Sequence, residues 1–171
     1  MALQGLMGDD SYSVVTISRY DKTNSILGID VLTYADSTKK WVIGSTQFVT
    51  NSSASISVLG INQTTPAVSP SIGDKYAVGT GATGEWENHV GKVVEWDGSG
   101  WDSCNHPRVW FDDKVYEWSG SNWPHAKYVI DAHVFNKYFS LSQIGGADKD
   151  ILKACYAYLK TLPAFENCTD V

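Results

Sequence analysis

The sequence predicts a mainly β protein that ends in one amphipathic α-helix, and three observations lead there. The stretches "KVVEWDGSGW" (Lys92 to Trp101) and "KVYEWSGSNW" (Lys114 to Trp123) are nearly the same ten residues written twice, 22 residues apart. Each runs an alternating segment into a four-residue polar turn and resumes at a Trp, the pattern of a β-hairpin. From Ser11 onward, four runs rich in β-branched and aromatic residues are separated by polar turn clusters. Helical spacing takes over only near the C-terminus, where Ile151, Leu152, Cys155, Tyr158, Leu159 and Leu162 recur until Pro163 stops the run.

The first four runs, "SYSVVTISRYD", "ILGIDVLTYAD", "KKWVIGSTQFVT" and "ASISVLGI", predict a small antiparallel β domain over residues 1–65. "ADSTKK" joins the second run to the third, with Tyr34 and Trp41 on either side. In "NQTTPAVSPSIGD", Pro66 and Pro70 disfavour ladder pairing, so residues 66–73 read as a linker. A second module over 74–140 follows as a meander of short strands. It contains "DKYAV" as a strand, "GTGATGEWENHVG" as a glycine-rich loop, the two Trp hairpins with Asp112 and Asp113 turning into the second, and "HAKYVIDAHVF" as a last strand. Residues 141–171 hold the helix, with Gly145 and Gly146 as breakers and Asp148 as N-cap. Its apolar stripe must be buried against the β module or against another subunit, and Ile151, Cys155, Tyr158 and Leu159 are the candidate inter-subunit residues.

Composition excludes several function classes. The net charge is -6, and the thirteen basic residues are scattered rather than clustered, which argues against nucleic acid and anionic membrane as partners. No segment approaches the length of a membrane span, and "MALQGLMGDDSYS" lacks the charged and apolar regions of an export signal. Three cysteines, Cys104, Cys155 and Cys168, show no close-spaced metal pattern and read as reduced thiols of a protein made in a cytosol.

Motifs for catalysis or cofactors do not assemble. Gly79, Gly81 and Gly84 fit GxGxxG, but acidic, strand-like residues follow where a phosphate site needs a helix N-terminus. Cys104, His106, His125 and His133 lack the paired short spacings of a zinc site. Glu95 and Glu117 hold equivalent points of the two repeats and read as a solvated strand face, and no nucleophile elbow or HExxH is present. No enzyme activity, metal or cofactor is expected. The aromatics remain, seven Trp and nine Tyr. Trp96 facing Trp101, and Trp118 facing Trp123, are expected to be buried cross-strand staples that fix hairpin register. The alternative is a carbohydrate-binding module, with Trp86 and Trp110 stacking on sugar and Glu87, Asp102 and Asn105 bonding hydroxyls.

The stretch "SPSIGDKYAVGTGATGEWENHVGKVVEWDGSGW" also resembles a domain of unknown function in tailed-bacteriophage and gene-transfer-agent structural proteins. There a GDxYxVGxGATGxW segment precedes a WDGSGW-type hairpin and later a second one. The likeness covers about Pro70 to Trp123. The link "DSCNHPRVWFDD" is shorter and poorer in glycine than the family's, and the second turn is "SGSN" rather than Asp-Gly, so the module is a compact variant. The ending "YAYLKTLPAFENCTDV" is similar, more loosely, to C-termini of phage virion proteins. The resemblance implies a virion component in a tail, fibre, baseplate or capsid-surface position, made in the bacterial cytoplasm. It implies other virion proteins as partners and a trimer or hexamer of like subunits, while host glycan is the partner that the carbohydrate-binding alternative expects. It carries over no catalytic residues.

Overall fold

Alternation of buried and exposed residues along the first three runs builds one antiparallel sheet. In the computed structural model, which describes residues 2–7, 10–21, 26–49, 55–126, 129–140 and 151–170, its strands are β1 (Leu3–Gln4), β2 (Tyr12–Asp21), β3 (Ile26–Tyr34), β4 (Val42–Val49) and β12 (Thr169–Asp170). They lie in the order β12-β1-β2-β3-β4. Val15 pairs with Val31 and Ile29 with Phe48, so one face collects Val15, Leu27, Ile29, Val31 and Phe48, all buried. Ser13 and Thr33 fall on the same face and satisfy each other through a buried hydroxyl–hydroxyl bond of 2.9 Å.

This sheet belongs to a compact unit of Met1–Ala54 and Lys127–Val171. The run expected as a last strand, "HAKYVIDAHVF", instead enters a helix. Asp131 accepts a bond from the Val134 N–H at 3.0 Å and caps α1 (Ala132–Val134), which continues as a π-helical turn, Phe135–Phe139. The expected breakers Gly145 and Gly146 and the Asp148 cap lie outside the described residues. Helix α2 (Ile151–Leu159) forms at the expected place, but its stripe is spent inside the chain. Cys155 and Leu159 are 0% exposed and Tyr158 is 2% exposed, with Ile151 half-buried. The Tyr158 hydroxyl donates to the Val129 carbonyl at 2.7 Å, and the Tyr156 hydroxyl accepts the Val15 N–H of β2 at 3.1 Å. Cys155, Tyr158 and Leu159 are therefore buried within the chain rather than offered to the inter-subunit contact expected of them, while Ile151 keeps part of its surface.

The second unit is Ser55–Ala126. The expected boundary at 65 is displaced because "ASISVLGI" does not join the N-terminal sheet. It splits into β5 (Ile56–Ser57) and β6 (Gly60–Gln63), which pair in parallel with β10 (Arg108–Phe111) and β7 (Lys75–Val78) respectively. The switch takes two residues, since the Val58 N–H bonds the Trp110 carbonyl at 3.0 Å and the Leu59 N–H bonds the Lys75 carbonyl at 2.8 Å. The expected linker consequently lies within this unit, anchored where the Gly73 N–H reaches the Trp96 carbonyl at 2.8 Å.

Two small sheets result. One runs β6-β7-β8-β9, with β7 at Lys75–Val78, β8 at Val93–Trp96 and β9 at Trp101–Cys104. The other runs β11-β10-β5, with β10 at Arg108–Phe111 and β11 at Lys114–Glu117. They are two copies of one design. The pair Val94↔Ser103 recurs 22 residues on as the bridge Tyr116↔His125, and the pair Lys75↔Glu95 recurs as Arg108↔Glu117. Each Glu is ion-paired to its cross-strand base, Lys75 Nζ–Glu95 at 2.8 Å and Arg108 Nε–Glu117 at 3.4 Å. The Trp96 N–H bonds the Asp74 carbonyl as the Trp118 N–H bonds that of Pro107. The main core forms where Ala77, Val93 and Cys104 of the first copy pack with Val109, Trp123 and Tyr116 of the second, sealed by Val58.

Candidate functional site

The two copies differ most in the connection from first strand to second. In the second copy Asp112 and Asp113, both at positive φ (45° and 63°), make a two-residue turn of the type that matches strand twist. In the first copy thirteen residues, 79–91, stand in the same place, and they contain the glycine motif. Gly81 and Gly84 serve the loop's backbone, standing at positive φ (79° and 63°), and Gly79 serves close packing. A Cβ on Gly79 would lie 2.9 Å from the Asn62 backbone. The residues read as strand-like after the motif form a 3₁₀ helix, Gly84–His89, which lowers Trp86 onto the sheet.

Trp86 is 0% exposed, so it is no sugar platform. It packs edge-on to Trp101 with centroids 4.9 Å apart, and against Tyr76 at 5.5 Å, over Val78 and Val94. Its indole N–H is buried without a partner among the described residues. Of the other expected sugar-contact residues, Trp110 is half-buried on β10, while Glu87, Asp102 and Asn105 are exposed at three separate places, on the 3₁₀ helix, on β9 and after β9.

The expected staples exist as pairs. Trp96 and Trp101 are register partners with rings 5.2 Å apart, and Trp118 and Trp123 approach to 5.4 Å. Their burial is unequal. Trp123 is 1% exposed; Trp96, Trp101 and Trp118 are half-buried. Trp123 is held on every side, its backbone N–H donating to Asn62 Oδ1 at 2.8 Å and its indole N–H to the Val78 carbonyl at 3.0 Å.

Trp118 has a different setting. It forms one wall of a cleft of about 320 Å³ lined by Gly91, Asn105, His106, Pro107, Glu117 and Trp118. Gly91 (φ 76°) has to be a glycine here, because a Cβ would sit 2.6 Å from the indole Cε2. Asn105 is exposed and His106 half-buried, and among the described residues neither side chain makes a hydrogen bond. Sequence reasoning placed Asn105 among the sugar-contact candidates but set His106 aside with the scattered histidines. The repeat itself could have flagged both, since "NHPR" stands where the first copy has "IGDK".

The cleft presents an aromatic face, an amide, an imidazole and one carboxylate already paired with Arg108. Burial pushes the Cys104 thiol above its ordinary range, helped by the Glu95 charge and opposed by Lys75. Burial, with Lys114 adding to it, holds His125 below its ordinary range. No group of three His, Cys, Asp or Glu side chains among the described residues is placed to hold a metal ion. No helix among them is long and apolar enough to cross a membrane.

Residues 51–124 match a family described as a protein of unknown function, DUF2793, and the match coincides within a few residues with the unit Ser55–Ala126. The comparisons with curated proteins and with solved structures returned no match.

Proposed function

We propose that the chain is a non-enzymatic structural component of a tailed-bacteriophage particle, in the tail, fibre, baseplate or capsid surface, acting in assembly and host attachment. The observation that carries this reading is the motif string "GDKYAVGTGATGEW…WDGSGW", which resembles virion proteins and here spans the first copy of the repeat within one self-contained unit. A virion part is built from many copies on closed symmetry, and each copy has to offer a joining surface. Strand β4 supports that requirement, because it ends its sheet, carries no charged residue from Val42 to Val49, and begins beside exposed Trp41 (66%), Val42 and Ile43. Joining through sheet edges into a trimer or hexamer replaces the helix contact that the fold uses internally. Mass spectrometry of purified particles tests the proposal: the chain should be found in many copies, and its absence from mature virions overturns the reading.

A further inference from the structure

We infer that the cleft at Trp118 binds one uncharged pyranose residue of a glycan, with the indole stacked on the sugar's apolar face and Asn105, His106 and Glu117 taking its hydroxyls. The inference rests on the particle-surface reading only for the source of the glycan. Binding itself is a property of this unit.

The wall is preorganised. Gly91 lets the indole lie against the backbone, the Trp118 N–H is tied to the Pro107 carbonyl at 3.2 Å, and the Trp123 ring supports it from behind at 5.4 Å. A ring fixed before the ligand arrives loses little freedom on binding. The cleft also falls within the size range of small-ligand pockets, about 300–1,000 Å³, at about 320 Å³.

The polar groups are not demanded by the hairpin. In the first copy the positions of Asn105, His106 and Pro107 are taken by Ile72, Gly73 and Asp74. There Ile72 is exposed, the Gly73 N–H closes onto the Trp96 carbonyl, and the Asp74 carboxylate is occupied by the Ser71 N–H at 2.8 Å. The same scaffold thus folds without an amide or imidazole at this point. In the second copy both are present, unbonded among the described residues, and beside an aromatic face. Unspent donors and acceptors flanking an indole match a ring with hydroxyls on its rim and C–H groups on its face. The charge at the wall selects a neutral sugar. Glu117 presents a carboxylate and its neighbouring cation, Arg108, is already paired with it, in a chain of net charge -6.

The experiment is a titration of the ¹⁵N-labelled full chain, reading the Trp118 indole N–H resonance, with methyl β-glucopyranoside, methyl β-galactopyranoside and glucuronate. At least one neutral glycoside should shift it with a dissociation constant of about the millimolar range, and glucuronate should bind more weakly. Asn105→Ala and His106→Ala, on the lip of the cleft, should each weaken binding several-fold with unchanged melting. Trp118→Phe should retain weaker binding. The inference is overturned if no neutral glycoside moves that resonance at ~50 mM, if both lip variants bind like wild type, or if glucuronate binds most tightly. A positive titration with particles that lack the chain leaves the site standing and removes the virion reading. A silent titration with particles rich in the chain does the reverse.

Discussion

The two copies of the Trp hairpin share a ladder and part company in what they bury. In the first, Trp101 lies half-covered beneath a thirteen-residue insertion whose Trp86 is wholly enclosed. In the second, two aspartates replace the insertion and the equivalent Trp123 goes into the main core, where its N–H is bonded. Repeating a hairpin fixes turn and register locally. Which face becomes core is decided by what the next segment lays over it. The first copy is thus a lidded end of the unit, and the second its centre, with a cleft left at Trp118.

Truncation of the enclosed indoles should produce the largest effects. Trp86→Ala and Trp123→Ala should each cost about 3–5 kcal/mol, the range for deleting a large buried aromatic, whereas Trp101→Ala should cost less because part of its ring already meets solvent. Six of the seven tryptophans lie in Ser55–Ala126, so fluorescence-detected urea unfolding of the full chain reports chiefly on that unit. Equal losses for Trp101 and Trp123 would break the comparison, since the two copies would then be energetically alike. Trp86→Phe sharpens it. Phe keeps most of the packing and removes an indole N–H that is buried without a partner among the described residues, so it should recover most of the stability lost in Trp86→Ala.

How much of this could be read from the sequence follows from the range of the interactions. The hairpins, the Asp112–Asp113 turn and helix α2 were legible because turn chemistry and periodicity are set within ten residues. The placement of "ASISVLGI" was not. Its alternation suits any strand, and its partners, Trp110 and Lys75, are remote in the chain and lie in different sheets. The burial of Trp86 was hidden for the same reason, since a Trp in a polar, glycine-rich loop looks exposed until the loop is folded back. Of the candidate site, Asn105 was found from its residue type, while His106 and Trp118 needed the comparison of the two copies.

An intermediate effect belongs to Gly91, whose counterpart in the second copy is Asp113, also at positive φ. Asp113 carries a side chain there without difficulty, but at Gly91 the Trp118 ring occupies the space. Gly91→Ala should therefore cost about 1–3 kcal/mol in the same urea series and shift the Trp118 indole resonance. A neutral Gly91→Ala would mean that the indole moves freely, and that the cleft wall is not preorganised.

The smallest effect separates the two turns by pH. Asp97 Oδ1 closes the first turn, accepting from the Ser99 N–H at 2.6 Å, the Gly100 N–H at 2.8 Å and the Ser99 hydroxyl at 2.9 Å. Ser119 Oγ closes the second, accepting from the Ser121 and Asn122 N–H groups at 3.3 and 3.1 Å. The backbone bond from Ser99, then that from Gly100, holds the Asp97 carboxyl below its ordinary range. A carboxyl held low in the folded state adds stability above its unfolded value, near pH 4, and loses it as the pH falls through the folded value. Ser119 does not titrate, so its turn should be indifferent to acid. Melting temperatures of wild type and Asp97→Ser should accordingly differ most near neutrality and converge as the pH drops below about 4. Asp36, whose carboxyl Thr38 holds low in the same way, titrates identically in both proteins and cancels from the difference. Ser119→Asp should give the second turn the acid sensitivity of the first. A difference between wild type and Asp97→Ser that is constant from neutral to acid pH would show that the carboxylate charge does not close the turn, and that the two turns are chemically alike.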